Sequence, residues 1–125
     1  MSNIILVGVG GFIGSVGRYL LGGWVHRLMD NAWFPYGTLA VNICGCFLIG
    51  LLGGLFDTRQ VLGPEARMFL FIGVLGGFTT FSSFGYETMA LARDGEFLAA
   101  GANIALQIVL GLGSVWLGNV VSRLL

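Results

Sequence analysis

The chain has 125 residues, 56% hydrophobic and 10% charged, with six basic and six acidic side chains in balance. A soluble domain carries roughly 25% charged residues, so a water-facing surface of this size is excluded. There is no lysine, and no basic face for nucleic acid can be assembled. The 22 glycines lie mostly inside apolar runs, which suits close helix packing in lipid.

The first apolar segment runs over about 4–21. Met1-Ser2-Asn3 has no positive charge and no cleavage pattern follows, so the segment is expected to be retained as a span. Its Val7-Gly8-Val9-Gly10-Gly11-Phe12-Ile13-Gly14 run resembles a dinucleotide-binding turn. That turn needs alternating strands and helices around it, and none follow. The glycines make a small-residue packing face instead. Arg18, late in the segment, has two readings: it reaches to the interface, or it draws anions into a wet vestibule. A first loop from Gly22 to Pro35 carries His26, Arg27, Asp30 and Asn31, flanked by the interfacial aromatics Trp24, Trp33 and Tyr36.

The second segment covers about 36–56. Thr38, Asn42, Cys46 and Gly50 recur every four residues and share one helix face. The Asn42 amide can donate to an anion without repelling it; it can equally bond a neighbouring helix. Cys44 and Cys46 are read as small packing residues, because on a helix they point apart. A second loop runs from Asp57 to Arg67.

The third segment, about 68–91, holds Gly76-Gly77-Phe78-Thr79-Thr80-Phe81-Ser82-Ser83-Phe84 and then Glu87. Paired glycines followed by threonines and serines make a poor helix interior. The helix is therefore expected to break here. A break in lipid frees backbone groups that need an ion or a protein cavity. The carbonyls of Gly76 and Thr79 suit a hard cation. Freed N–H groups, with the hydroxyls of Thr80 and Ser83, suit an anion. Phe81 and Phe84 share a face, and aromatic ring edges are positive. Glu87, on the same face, serves either an ion path or the membrane interface. A packed crossing with no ion is the competing reading.

A short loop, Arg93 to Glu96, leads to the fourth segment, about 97–121. Asn103, Gln107, Gly111 and Ser114 form one uncharged stripe. It reads as a track for a partly dehydrated ion or as interhelical hydrogen bonding. Each segment approaches or exceeds the ~20 residues that cross ~30 Å of hydrocarbon. A soluble bundle would show polar helix faces, which these lack. The fold class is all-α integral membrane, with residues 1–125 forming one four-helix unit. Arg27 and Arg93 fall on one side of the membrane, and Arg59, Arg67 and Arg123 on the other. So even a split sets no firm orientation, which allows an antiparallel pair.

Arg18-Tyr19 after a glycine-rich start, Gly37-Thr38-Leu39-Ala40-Val41-Asn42, and the Gly76–Phe84 string followed by Glu87 resemble the Fluc (CrcB) family of fluoride channels. The similarity covers essentially the whole chain, with departures at Phe78 and Ser83. It implies a passive fluoride channel of a prokaryotic cell membrane, not an enzyme, built as a dual-topology antiparallel homodimer. It implies that Asn42, Phe81 and Phe84 line the pore, with Thr80, Ser83, Asn103 and Gln107 beside them and Arg18 and Glu87 near its ends. It implies a structural sodium ion held by the Gly76 and Thr79 carbonyls of both copies. Two rival functions share the four-span layout: a small proton-coupled multidrug transporter and a non-transporting assembly protein. The first rival needs a carboxylate near mid-depth, usually in the first helix, and that helix has none.

Overall fold

The computed structural model describes residues 2–30, 32–60 and 62–125; Met1, Asn31 of the first loop, and Val61 lie outside the described residues. The described residues are helical through most of their length. α1 is Ser2–Leu28, α2 is Tyr36–Arg59 and α6 is Phe97–Leu124. The third span, Pro64–Arg93, is composite. It opens with α3 (Pro64–Arg67), continues as a π-helical stretch (Met68–Leu75) and α4 (Gly76–Phe78), and resumes as α5 (Phe81–Arg93). All four spans are long and apolar enough to cross a membrane.

The spans reach beyond their predicted ends. α1 continues through Gly22-Gly23 to Leu28, where a loop was expected. Its 27 residues rise about 40 Å, more than the hydrocarbon needs. The extension is favoured by a close approach to α2, because a methyl group at Gly37 would sit 2.6 Å from the Gly22 carbonyl oxygen. His26 and Arg27 also occupy the last turn, where cationic groups oppose the helix dipole. α2 likewise runs to Arg59, and Gln60 closes it in the left-handed conformation with its N–H on the Phe56 carbonyl. Pro64 restarts the chain at a first helical position that requires no N–H.

Two glycine seams hold the spans together. Gly10 and Gly14 of α1 lie buried against the backbone of the π-helical stretch and α4. A methyl group at Gly10 would meet the Phe69 carbonyl oxygen at 2.7 Å and the Gly73 Cα at 2.9 Å; one at Gly14 would overlap the Val74 carbonyl. The second seam joins α2 to α6, where Gly50 faces the Val115 carbonyl and Gly118 faces the Phe47 carbonyl. Such backbone contact is how helices associate when lipid supplies no hydrophobic drive between them. Val41, Phe56 and Leu75 fill the small core between seams. Ile4, Phe12, Leu98, Val109 and Trp116 point outward, as side chains facing lipid do.

Candidate functional site

The third span bends at Thr79 and Thr80, which take extended dihedrals (φ −83°, ψ 156° and φ −149°, ψ 117°) between α4 and α5. Sequence placed the weak point within the Gly76–Ser83 run, and the bend falls on its two β-branched residues. Two extended residues remove several helical hydrogen bonds, and side chains replace them. The Thr80 N–H donates to Asn42 Oδ1 at 2.9 Å, and Asn42 Nδ2 donates back to the Thr80 carbonyl at 3.0 Å. One amide thus grips both polar groups of one peptide residue. Thr80 Oγ1 accepts the Ser83 N–H at 3.1 Å and caps α5. Thr79 Oγ1 donates to the Leu75 carbonyl at 3.0 Å. Arg18 Nε donates to the Gly77 carbonyl at 3.1 Å. Arg18 therefore caps the half of the third span that precedes the bend, a use distinct from interfacial anchoring and from drawing in anions.

The replacement leaves specific carbonyls without helical donors. Gly76 would receive the Thr80 N–H in a continuous helix, and that N–H is on Asn42. Thr79 would receive the Ser83 N–H, which is on Thr80 Oγ1. These are the two oxygens singled out in the sequence. At the start of α5, the N–H groups of Phe81 and Ser82 have no intrahelical acceptor. The bend therefore exposes acceptors and donors within a few residues of each other.

A cavity of about 380 Å³ lies against the bend, lined by Asn42, Thr79, Thr80, Phe81, Phe84 and Gln107 among others. Phe81 is 82% exposed in the single chain. The Phe81 and Phe84 rings stand 5.4 Å apart at 58°, so they are tilted and not stacked. Ser83 enters through its N–H, while its hydroxyl has no partner among the described residues.

The fourth-helix stripe divides. Asn103 is fully buried; its Nδ2 donates to Thr88 Oγ1 at 2.9 Å, and its Oδ1 has no partner among the described residues. Gln107 Oε1 accepts the second N–H of Asn42 Nδ2 at 3.1 Å, and Gln107 Nε2 is buried without a partner among the described residues. Asn42 has therefore committed both of its N–H groups. Further along, Gly111 lies beside Cys46 and Gly118 packs on α2, so the stripe ends as a packing face. Glu87 lies at the other side of the bend, where Thr38 Oγ1 donates to its Oε1 at 2.6 Å. Thr88, which joins Asn103 to the Phe84 carbonyl, was not singled out from sequence. Its spacing four residues after Phe84 is the signal that would have found it.

A family model described as CrcB-like protein, Camphor Resistance (CrcB), matches residues 5–119. The fluoride-specific ion channel FluC of Geotalea uraniireducens is 45% identical over 125 residues, covering 100% of both chains. FluC of Geobacter sulfurreducens is 46% identical over 123 residues, 98% of each chain. FluC of Methylobacillus flagellatus is 47% identical over 118 residues, 94% of this chain and 92% of the relative. The likeness runs through all four spans, the bent third one included, and this chain belongs to the CrcB family.

Proposed function

We propose that this chain is a passive fluoride-specific ion channel of the bacterial cell membrane, acting as an antiparallel pair that lets fluoride leave the cytoplasm and so lowers its toxicity. The channel function, which is not enzymatic, rests on full-length identity to proteins named fluoride-specific ion channels. The observation that carries the mechanism is the bend at Thr79–Thr80, which sets polar backbone beside an open-sided cavity. Lipid does not tolerate such backbone facing it. A second copy of the chain would cover it. The near-even division of arginines between the two loop sides, two against three, supports an antiparallel arrangement. The whole of residues 1–125 acts as one membrane unit in this reading.

Fluoride is small and strongly hydrated, so a path must replace its water shell with donors that still release it. The first N–H groups of α5, the ring edges of Phe81 and Phe84, and the hydroxyls of Thr80 and Ser83 supply such contacts with no fixed positive charge in the cavity. Asn42 holds the bend that presents them, and Gln107 and Asn103 continue the polar line along α6. Glu87 sits near one end of this path, while Arg18 holds the Gly77 carbonyl beside the bend.

A structural sodium ion fits the donor set. The Gly76 and Thr79 carbonyls lack helical donors, and unwound carbonyls of this kind hold sodium in other membrane proteins. Sodium bound there would join two copies at their seam and would not itself be transported.

The test is ion release from liposomes containing purified protein. Rapid fluoride release with chloride retained is the expected result. Proton uptake driven by organic cations would favour a multidrug transporter, and no flux of any ion would favour an assembly protein; either result overturns the proposal.

A further inference from the structure

A second cavity, about 560 Å³, lies where α1 and α5 end and α2 begins. Its walls include the aromatic side chains of Tyr19, Trp33, Phe34 and Tyr86. Glu87 lines it and is half-buried, held by Thr38. Among the described residues, no arginine or histidine nitrogen lies within 4.0 Å of the Glu87 carboxylate, because the one ion pair is Arg67 with Asp57. Asp94 adds a second acidic side chain at the rim, and among the described residues His26 is the only basic side chain on the lining. His26 acts electrostatically on Glu87 from the same lining, yet the two carboxylates outnumber that one basic group. Two carboxylates on one lining favour a cation as a lasting occupant.

We propose that this cavity binds a monovalent organic ammonium ion carrying an aromatic or alkyl group. Three features select that class. A divalent metal needs six or more oxygen ligands or a compact cluster, and the described residues contain no group of three His, Cys, Asp or Glu able to hold one. Aromatic ring faces attract cations, most strongly when both are shielded from water. The Arg93 guanidinium already lies 5.9 Å over the Tyr86 ring, so this wall accepts a cation on one face. The volume falls in the range of small organic ligands, roughly 300–1,000 Å³.

An ammonium ion here would touch Glu87, one helical turn beyond Ser83. It would therefore stand at one end of the fluoride path and slow fluoride movement. That consequence rests on the channel reading, whereas the binding itself does not.

The test uses the full chain in detergent, with Trp24→Phe and Trp116→Phe leaving Trp33 as the reporter. Benzyltrimethylammonium chloride is titrated while Trp33 fluorescence is followed. A saturable change is expected. Glu87→Gln should weaken binding by at least about tenfold, Tyr86→Leu by several-fold, and Asp57→Asn not at all. No saturable change in the parent, or unaltered affinity in both Glu87→Gln and Tyr86→Leu, overturns the site. In liposomes the same cation should slow fluoride release. A protein that binds it but conducts no fluoride would overturn the channel reading and leave the site standing.

Discussion

The seam between α1 and the third span contrasts with the bend a few residues further along that span. At the seam, Gly10 and Gly14 bring backbone onto backbone, and no side chain intervenes. At the bend, the backbone has left its helix, and Asn42, Thr80 and Arg18 supply the missing bonds. One region is held by the absence of atoms and the other by placed polar atoms. The seam tolerates no added volume. The bend tolerates no loss of hydrogen bonds. A rigid seam next to a bend lets the span open at one point without coming apart.

The contrast breaks first at the seam. Gly14→Val puts branched carbon into the Val74 carbonyl, and the obstacle is backbone. Overpacking costs typically 1–3 kcal/mol and more where nothing can move. The expected result is about 3 kcal/mol or more, read as loss of folded protein on gel filtration. Phe81→Ala acts at the bend without touching the seam. Its ring is exposed in the single chain, so the protein should still fold, with fluoride release slower by about tenfold if the ring edge contributes about 1.4 kcal/mol.

Gln107→Leu sharpens the account of the bend itself. It removes the acceptor for one Asn42 N–H and also deletes a buried unpartnered donor. The two effects oppose each other. Net destabilisation should stay near 1 kcal/mol, measured by thermal unfolding in detergent, with fluoride release reduced less than in Phe81→Ala. Gly8→Ala is the smallest change. Nothing lies within 4 Å of a methyl group there, and the helix gains about 0.5–1 kcal/mol from replacing glycine. Unfolding should shift slightly upward.

Sequence made some of this legible and hid the rest for physical reasons. Apolar length revealed four spans, because lipid imposes that length on any crossing helix. Helix ends were less visible: Gly22-Gly23 reads as a stop, yet their contact with α2 carries α1 on to Leu28. The bend was legible because Thr79 and Thr80 are poor helix residues beside two glycines. The π-helical stretch before it was not, since Met68–Leu75 has an ordinary apolar composition. The partners were invisible. Asn42 with Thr80, Arg18 with Gly77 and Thr38 with Glu87 each join residues far apart in the chain, and spacing along one helix says nothing about which residue of another it meets. Asn103 and Gln107 read as one face in the sequence, and that face turns to α5 at one residue and to α2 at the next.

Fluoride release from liposomes carrying Asn42→Ala protein, with folding verified beforehand, weighs most directly on the claim that a side-chain amide stands in for the helical ladder and so shapes the ion path. Deleting it leaves the N–H and carbonyl of Thr80 without their partners, at roughly 1–3 kcal/mol for each buried group. The account predicts release at least about tenfold slower. Release at the parent rate from folded protein would contradict it.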